Sequence, residues 1–413
     1  MSRAPIISFL VALCFAPLCA RAQNTESPSA AASAVNHLAA CLGKPLLSKS
    51  GNPLFSPWSA QSVLAMAWTG AAGDTEKEMR SVLGFTGDAA AVSRSFHSLH
   101  AALTIPRPGE KPAVVRAASR LFVEDGYPLL PAWTDGLKNN FGAGAEPVPF
   151  AARSLEAFAR INLWVKENTA GKITDLFPPE TSSALTRMVL ADAVYFNVPW
   201  QTPFKRRLTR LETFFLTKGN TRKTSFMHTE RNLSYARKAG FQIVALDYGA
   251  RDLQFVAMIP DKQEGLPAVV AGLTPELLKS CAGMDSQLVS LAIPRLNLRP
   301  PAVSLGEPLR ALGLVKAQSP LVADFTGISQ QTPRLFISRV RQSAWLVMDE
   351  KGTEAAAATG ADVPFGAAPA PPKPIIVRAD RPFLFLIQHV PSAACLFVGC
   401  VNDPGMGGMT AGG

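Results

Sequence analysis

Asp349-Glu-Lys-Gly-Thr-Glu-Ala-Ala-Ala-Ala-Thr-Gly-Ala-Asp-Val363 follows a strand-like run, Leu335 to Met348, and leads into a proline-dense segment from Val363 to Pro374. Nothing in this stretch can fill a core. Residues 355–358 are four alanines, which lack the bulk and branching that hold a side chain in a sheet. Five prolines among residues 363–374 prevent regular pairing. On its residues alone the segment is a long exposed loop tethered to a buried strand at Met348. Loops of that length in a compact domain are usually functional or disordered.

Outward from the loop, the two ends of the chain carry little structure. Met1-Ser-Arg3, the apolar run Ile6 to Leu18 and Ala20-Arg-Ala22 form a secretory signal pattern over residues 1–22, with cleavage expected before Gln23. The protein is therefore expected outside the cell, or in the periplasm of a Gram-negative host. A lipid anchor on Cys19 is disfavoured, because Leu18 stands where a small residue is needed. No later stretch is long and apolar enough to span a membrane. Residues 405–413 read as a frayed tail. The interval 23–404 has no repeat, linker or shift of composition before residue 360, and 47% of the whole chain is hydrophobic, so one large domain is expected.

Loss of the signal removes two arginines from the 41 basic and 31 acidic residues, leaving a net charge of +8. Lys205, Arg206, Arg207 and Arg210 cluster, as do Arg222, Lys223, Arg231, Arg237 and Lys238. A solvated face is the expected reading, with a polyanion at Lys205–Arg210 as the alternative. No aromatic interleaving supports nucleic-acid specificity. Cys41, Cys281, Cys395 and Cys400 remain after the signal; they are too scattered for a disulfide framework and are read as buried free thiols. Asn232-Leu-Ser234 is a glycosylation sequon whose use depends on the host.

Helices gather early. Residues 29–47 carry helical spacing, Ser56 and Pro57 are placed as N-cap and first turn of a helix running to about Gly70, and Asp74 opens a helix that ends at Gly84. Pro131–Asn140 and Ser154–Asn168 follow, the latter with Leu155, Phe158, Ile161, Asn162 and Val165 assigned to one face. Strands are expected at 114–124 and 188–196, at 241–259 as a hairpin, and at 288–298, 335–348, 383–388 and 396–401. Asp192 is a lone carboxylate in a strand that otherwise reads as buried, so it needs hydrogen-bond partners or it will hold its proton. The class is α+β.

Enzyme chemistry has no motif behind it. There is no G-x-S-x-G, phosphate loop, H-E-x-x-H or C-x-x-C. His97 and His100 share a helical spacing without a third ligand, and Asp74, Glu76 and Glu78 suit a solvated helix start. No metal or cofactor is implied.

Six stretches, in order, resemble the serpin family from about Ala34 to Pro404. They are Phe55-Ser-Pro-Trp-Ser59 with Gly70-Ala-Ala-Gly-Asp-Thr75, Ile161-Asn-Leu-Trp-Val165 with Thr169-Ala-Gly-Lys-Ile173, and Val189-Leu-Ala-Asp-Ala-Val-Tyr-Phe196 with Trp200. Glu350-Lys-Gly-Thr-Glu-Ala-Ala-Ala-Ala-Thr359, Asp380-Arg-Pro-Phe-Leu-Phe385 and Leu396-Phe-Val-Gly399 complete the set. The resemblance implies three β-sheets, about nine helices, a monomer, and a reactive loop at 350–374 that baits a peptidase. Once cut, such a loop enters the main sheet as a strand and traps the acyl-enzyme.

Under that reading Glu350, Gly352, Thr353, Glu354, Ala355, Ala356, Ala357, Ala358 and Thr359 form the hinge. Side chains alternate on insertion, so Thr353, Ala355, Ala357, Thr359 and Ala361 face inward, and all are small. This parity favours an inhibitor over a non-inhibitory carrier, chaperone or storage member. Ser56, Ser59, Asp192 and Gln342 are implied at the shutter and Trp200 at the breach. The family usually has asparagine where Asp192 stands and histidine where Gln342 stands; a glutamine amide can donate to a carboxylate, so the pair is expected to gate sheet opening.

The loop is a few residues longer than usual, and counting from the hinge puts the bait at Gly366. Cleavage at Phe365–Gly366 suits a chymotrypsin- or subtilisin-like peptidase. Cleavage at Gly366–Ala367 would place Phe365 in the subsite that papain-like cysteine peptidases read.

Overall fold

The computed structural model describes residues 29–110, 114–181, 183–250, 252–353 and 373–405. The signal pattern, hinge residues 354–359, Phe365, Gly366, Ala367 and the tail from 406 lie outside the described residues.

Local signals set the helix ends. Ser56 caps the helix Pro57–Trp68, its Oγ accepting from the Ser59 N–H at 3.3 Å. Gly84 ends the helix Gly73–Leu83 at φ 68°, a left-handed residue that closes the last turn. The described residues hold nine α-helices and two hydrogen-bonded sheets.

The seven-stranded sheet runs Leu296–Leu298, Ile337–Met348, Met188–Pro199, Val114–Glu124, Ala145–Val148. Val303–Ser304 also pairs with Ile337–Met348, and Gly352–Thr353 with Met188–Pro199. Its two longest central members, Ile337–Met348 and Met188–Pro199, are parallel. The nine-stranded sheet contains the hairpin Phe241–Asp247 and Leu253–Pro260 and the closing strands Phe383–His389 and Ala394–Val401. Thr221–Lys238, 18 residues long, pairs with Arg210–Phe215, Asp285–Pro294 and Phe241–Asp247, so two smaller sheet regions are continuous through it. The run read as one strand over 288–298 is divided: Asp285–Pro294 joins the nine-stranded sheet and Leu296–Leu298 the seven-stranded one.

Alternation along Met188–Pro199 separates two cores. Met188, Leu190, Val194, Phe196 and Val198 face the main core, while Val189, Ala191 and Ala193 face a smaller one under the helix Phe150–Asn168. That helix buries Phe158, Ile161, Trp164 and Val165. Leu155 corrects the assigned stripe, being 66% exposed. At 100° per residue it sits well round the helix from the centre of the buried set, so spacing to Phe158 alone misled.

Ile161 is fully buried and Leu155 is not. Ile161→Ala is expected to destabilise the uncleaved protein by ~2–5 kcal/mol and Leu155→Ala by less than ~0.5 kcal/mol, checked by denaturant unfolding.

Candidate functional site

Three strands place one polar residue each at the same level. Ser119, Asp192 and Gln342 are register partners across Val114–Glu124, Met188–Pro199 and Ile337–Met348. By parity all three point to the main core, where the N-terminus of Pro57–Trp68 meets the sheet. Gln342 Nε2 donates to Asp192 Oδ2 at 2.5 Å and to the Ser56 carbonyl at 2.8 Å, while its Oε1 accepts from the Ser56 N–H at 2.7 Å. Ser59 Oγ donates to Asp192 Oδ1, and Ser119 Oγ to the same oxygen at 2.9 Å. Ser56 Oγ donates to the Leu396 carbonyl at 2.6 Å, tying the cluster to the nine-stranded sheet.

The structure thus brings Ser56, Ser59, Asp192 and Gln342 into contact. Asp192 and Gln342 are 1% and 0% exposed. Burial pushes the Asp192 carboxyl up from 3.8 to about 6, against the pull of hydrogen bonds from Gln342, Ser59, Ser119 and the Ala193 N–H. All of these partners are neutral, so the carboxylate is stabilised by dipoles and no counter-charge. Ser119 was missed from sequence: a serine in an alternating strand carries no mark of what lies beside it.

Just past the end of the same strand, eight residues on and roughly 26 Å away, a second cluster surrounds the start of the segment read from sequence as the hinge. Asp349–Gly352 forms a tight turn, with the Asp349 N–H donating to the Gly352 carbonyl at 2.9 Å and the Lys351 N–H to Asp349 Oδ1 at 2.8 Å. Gly352 and Thr353 then run antiparallel to Pro199 and Val198. Trp200, fully buried and stacked on Tyr248 at 4.5 Å, donates from Nε1 to the Asp349 carbonyl at 2.9 Å and from its backbone to the Lys351 carbonyl at 3.0 Å.

Gly352 has φ 145°, and a Cβ there would lie 2.5 Å from Pro199 Cα and 2.6 Å from the Val198 carbonyl oxygen. Only glycine fits.

Glu350 is 2% exposed and accepts from Thr209 Oγ1 at 2.6 Å and from Arg295 Nε at 2.9 Å. Burial alone would raise its carboxyl, but these bonds and the Arg295 charge hold it below the usual range. Thr209 and Arg295 were also missed, lying 141 and 55 residues from Glu350.

The basic clusters are partly neutralised: Arg210 pairs with Glu212, Arg222 with Asp403 and Arg237 with Asp261. Lys205, Arg206 and Arg207 are exposed. Cys41, Cys281, Cys395 and Cys400 are free, the last three buried. Among the described residues no group of three potential ligands could hold a metal ion, and no helix is long and apolar enough to cross a membrane.

Because the folded-state value of Asp192 exceeds the ordinary one, its contribution to stability is complete below about 3.8 and lost as pH rises through about 6. Asp192→Asn abolishes that titration. Its unfolding free energy is therefore expected to gain on the parent by up to ~3 kcal/mol between pH 4 and pH 8. Paired melting curves of the uncleaved proteins check this; a constant difference across the range refutes it.

Comparison with known proteins agrees with this geometry. The family model Serpin (serine protease inhibitor) matches residues 33–404. Leukocyte elastase inhibitor of Bos taurus is 35% identical over 364 residues, covering 86% of this chain and 94% of that protein. Antithrombin-III of Homo sapiens is 30% identical, covering 86% and 76%. The crystal structure of Serpin48 from Tenebrio molitor superposes with a TM-score of 0.79 at 28% identity, covering 90% of this chain and 98% of that one. Across residues 33–404 the chain belongs to the serpin family of serine protease inhibitors.

Proposed function

We propose that this inhibitor is a secreted bait for serine peptidases, trapping the acyl-enzyme by drawing its cleaved loop into the seven-stranded sheet. The observation that carries the reading is the register of Gly352 and Thr353 against Pro199 and Val198. Continued along the same antiparallel ladder, that register would set Thr359 level with Asp192 and Val363 level with Met188, the first residue of the strand. Opposed residues in a ladder share a face. Residues 353, 355, 357, 359, 361 and 363 would therefore face the main core beside Val198, Phe196, Val194, Asp192, Leu190 and Met188. These are the positions the sequence keeps small or β-branched. Pro364, with no N–H to give, would end the new strand just before the bait.

In the trapping reaction the peptidase serine Oγ attacks the carbonyl carbon of Phe365. The peptide C–N bond breaks, Gly366 leaves with a free amine after gaining a proton, and an ester links Phe365 to the enzyme. Insertion then carries the ester away from the site where it formed, before water hydrolyses it. The phenylalanine side chain favours a chymotrypsin- or subtilisin-like target. Cleavage at Gly366–Ala367 by a papain-like cysteine peptidase is the other outcome considered.

Insertion must part Met188–Pro199 from Ile337–Met348, and so must break the Asp192–Gln342 contact. We infer that this contact gates opening. In a cycle of Asp192→Asn and Gln342→His, loop-insertion rates are expected to show a coupling of ~0.5–3 kcal/mol. Strict additivity would remove the gate.

Incubation with chymotrypsin, subtilisin, elastase, trypsin and a papain-like enzyme tests the main reading. A complex stable to denaturant is expected with chymotrypsin or subtilisin, and mass spectrometry of the released fragment is expected to begin at Gly366. Loop cleavage with neither a complex nor a gain in thermal stability would favour a non-inhibitory carrier or chaperone. Lys205, Arg206, Arg207 and Arg210 are read as a solvated face, with a polyanion contact as the alternative; an inhibition rate that rises with heparin at low salt would favour that alternative.

A further inference from the structure

At the opposite end of the seam from the hinge, the first residues of the two parallel strands wall a cavity of about 650 Å³. This is within the range of small-molecule sites, about 300–1,000 Å³. Four arginines line it, Arg187, Arg310, Arg334 and Arg339, against one acid, Glu307. Arg334 is paired with Asp324 at 3.1 Å, and Arg310 stands 3.8 Å from the largely exposed Glu307.

Arg187 and Arg339 have no carboxylate partner among the described residues. Arg187 Nη1 donates to the Ala184 and Thr186 carbonyls at 2.9 and 2.8 Å, and Arg339 Nη2 to the Thr181 carbonyl at 3.4 Å. Among the described residues those bonds leave other N–H donors of both guanidinium groups unspent. The rest of the wall mixes polar groups, among them Thr186, Ser304 and Gln318, with an apolar part formed by Leu185, Pro320 and Phe336. Leu185 is 76% exposed, and Leu321, next along from Pro320, is 91% exposed.

The cavity also spans the seam. Ile337 pairs with Met188 and Arg339 with Val189, leaving Ser338 as a bulge, and the Arg187 N–H crosses to Ser338 Oγ at 2.9 Å. Arg187 belongs to one side of the seam and Arg339 to the other.

We propose that this cavity binds an amphipathic organic anion, with a carboxylate or phosphate head shared by Arg187 and Arg339 and an apolar body on Leu185, Pro320 and Phe336. An anion held by both arginines clamps the two strands together at their base. By linkage, a ligand that fits only the closed sheet resists any process that opens it. The clamp rests on the loop-insertion reading; the site does not.

Calorimetric titration of the uncleaved protein with decyl phosphate below its micellar concentration is the test. Saturable one-to-one binding is expected, at least tenfold tighter than for inorganic phosphate or the neutral decyl maltoside. Arg187→Gln and Arg339→Gln are each expected to weaken it at least tenfold without moving the melting temperature. No saturation, equal affinity for decyl maltoside, or binding undiminished in both variants would overturn the site. Binding to phosphatidylglycerol vesicles alone would overturn it in favour of a surface contact.

For the clamp, saturating decyl phosphate is expected to slow the appearance of the heat-stable form after subtilisin cleavage at least threefold, and not to do so in Arg187→Gln. An unchanged rate overturns the clamp. Failure to form a heat-stable species with or without ligand counts against loop insertion itself and leaves the calorimetric result standing.

Discussion

Eight register pairs join Ile337–Trp345 to Met188–Tyr195 in parallel, and that ladder ends at Trp345, four residues before the turn at Asp349–Gly352. A parallel ladder is slightly weaker per residue than an antiparallel one. A strand entering the seam from the hinge would run antiparallel to both neighbours, replacing one parallel ladder by two antiparallel ones. The direction of Gly352–Thr353 already agrees with this. Under the proposed insertion, the pairing exchanged would be one of the two parallel pairings in this sheet. The helix Pro57–Trp68 and the strand Ala394–Val401 hold the seam from behind through Ser56 and Ser59.

The buried carboxylate gives this seam an unusual character. Two neighbours in the strand row, Ser119 and Gln342, and Ser59 from the helix supply three neutral donor side chains to one carboxyl group. Hydroxyl groups can turn to accept when the carboxyl is protonated. The row can thus stay bonded in either state, while the charged form bears the cost of burial. At the hinge the logic is reversed. Glu350 has a cationic partner, Arg295, which is half-exposed, so its charge is retained.

Much of this was legible in the sequence because it is local. Ser56 before Pro57 and Gly84 after a helical run each announce their conformation within a few residues. Asp192 could be marked as needing partners from its strand alone, but Gln342 as one of them only through resemblance to a family whose strands are known to be neighbours. Ser119, Thr209 and Arg295 stayed hidden because their roles arise from registers between distant strands. Leu155 shows the complementary failure: a single spacing fits a helix face by chance, and only the whole buried set fixes where that face lies. The division of 288–298 between two sheets depends on the partners of each half and not on its own apolar pattern.

Gly352 has a kinetic meaning beyond its fit. Ordered structure usually forms by an unfavourable first contact followed by easier additions. Here the turn and the first two pairings of the prospective strand exist before any bond is cut. Under the proposed insertion, further growth would be propagation from a nucleus already in place, one pair at a time from the turn toward the base. The extra alanine-proline length of the loop lies beyond this starting point, so it adds little closure entropy to the first steps. Under the proposed trapping reaction, the chain could lengthen or vary its bait without retuning the event that follows cleavage, which would decouple the choice of peptidase from the mechanics of the trap.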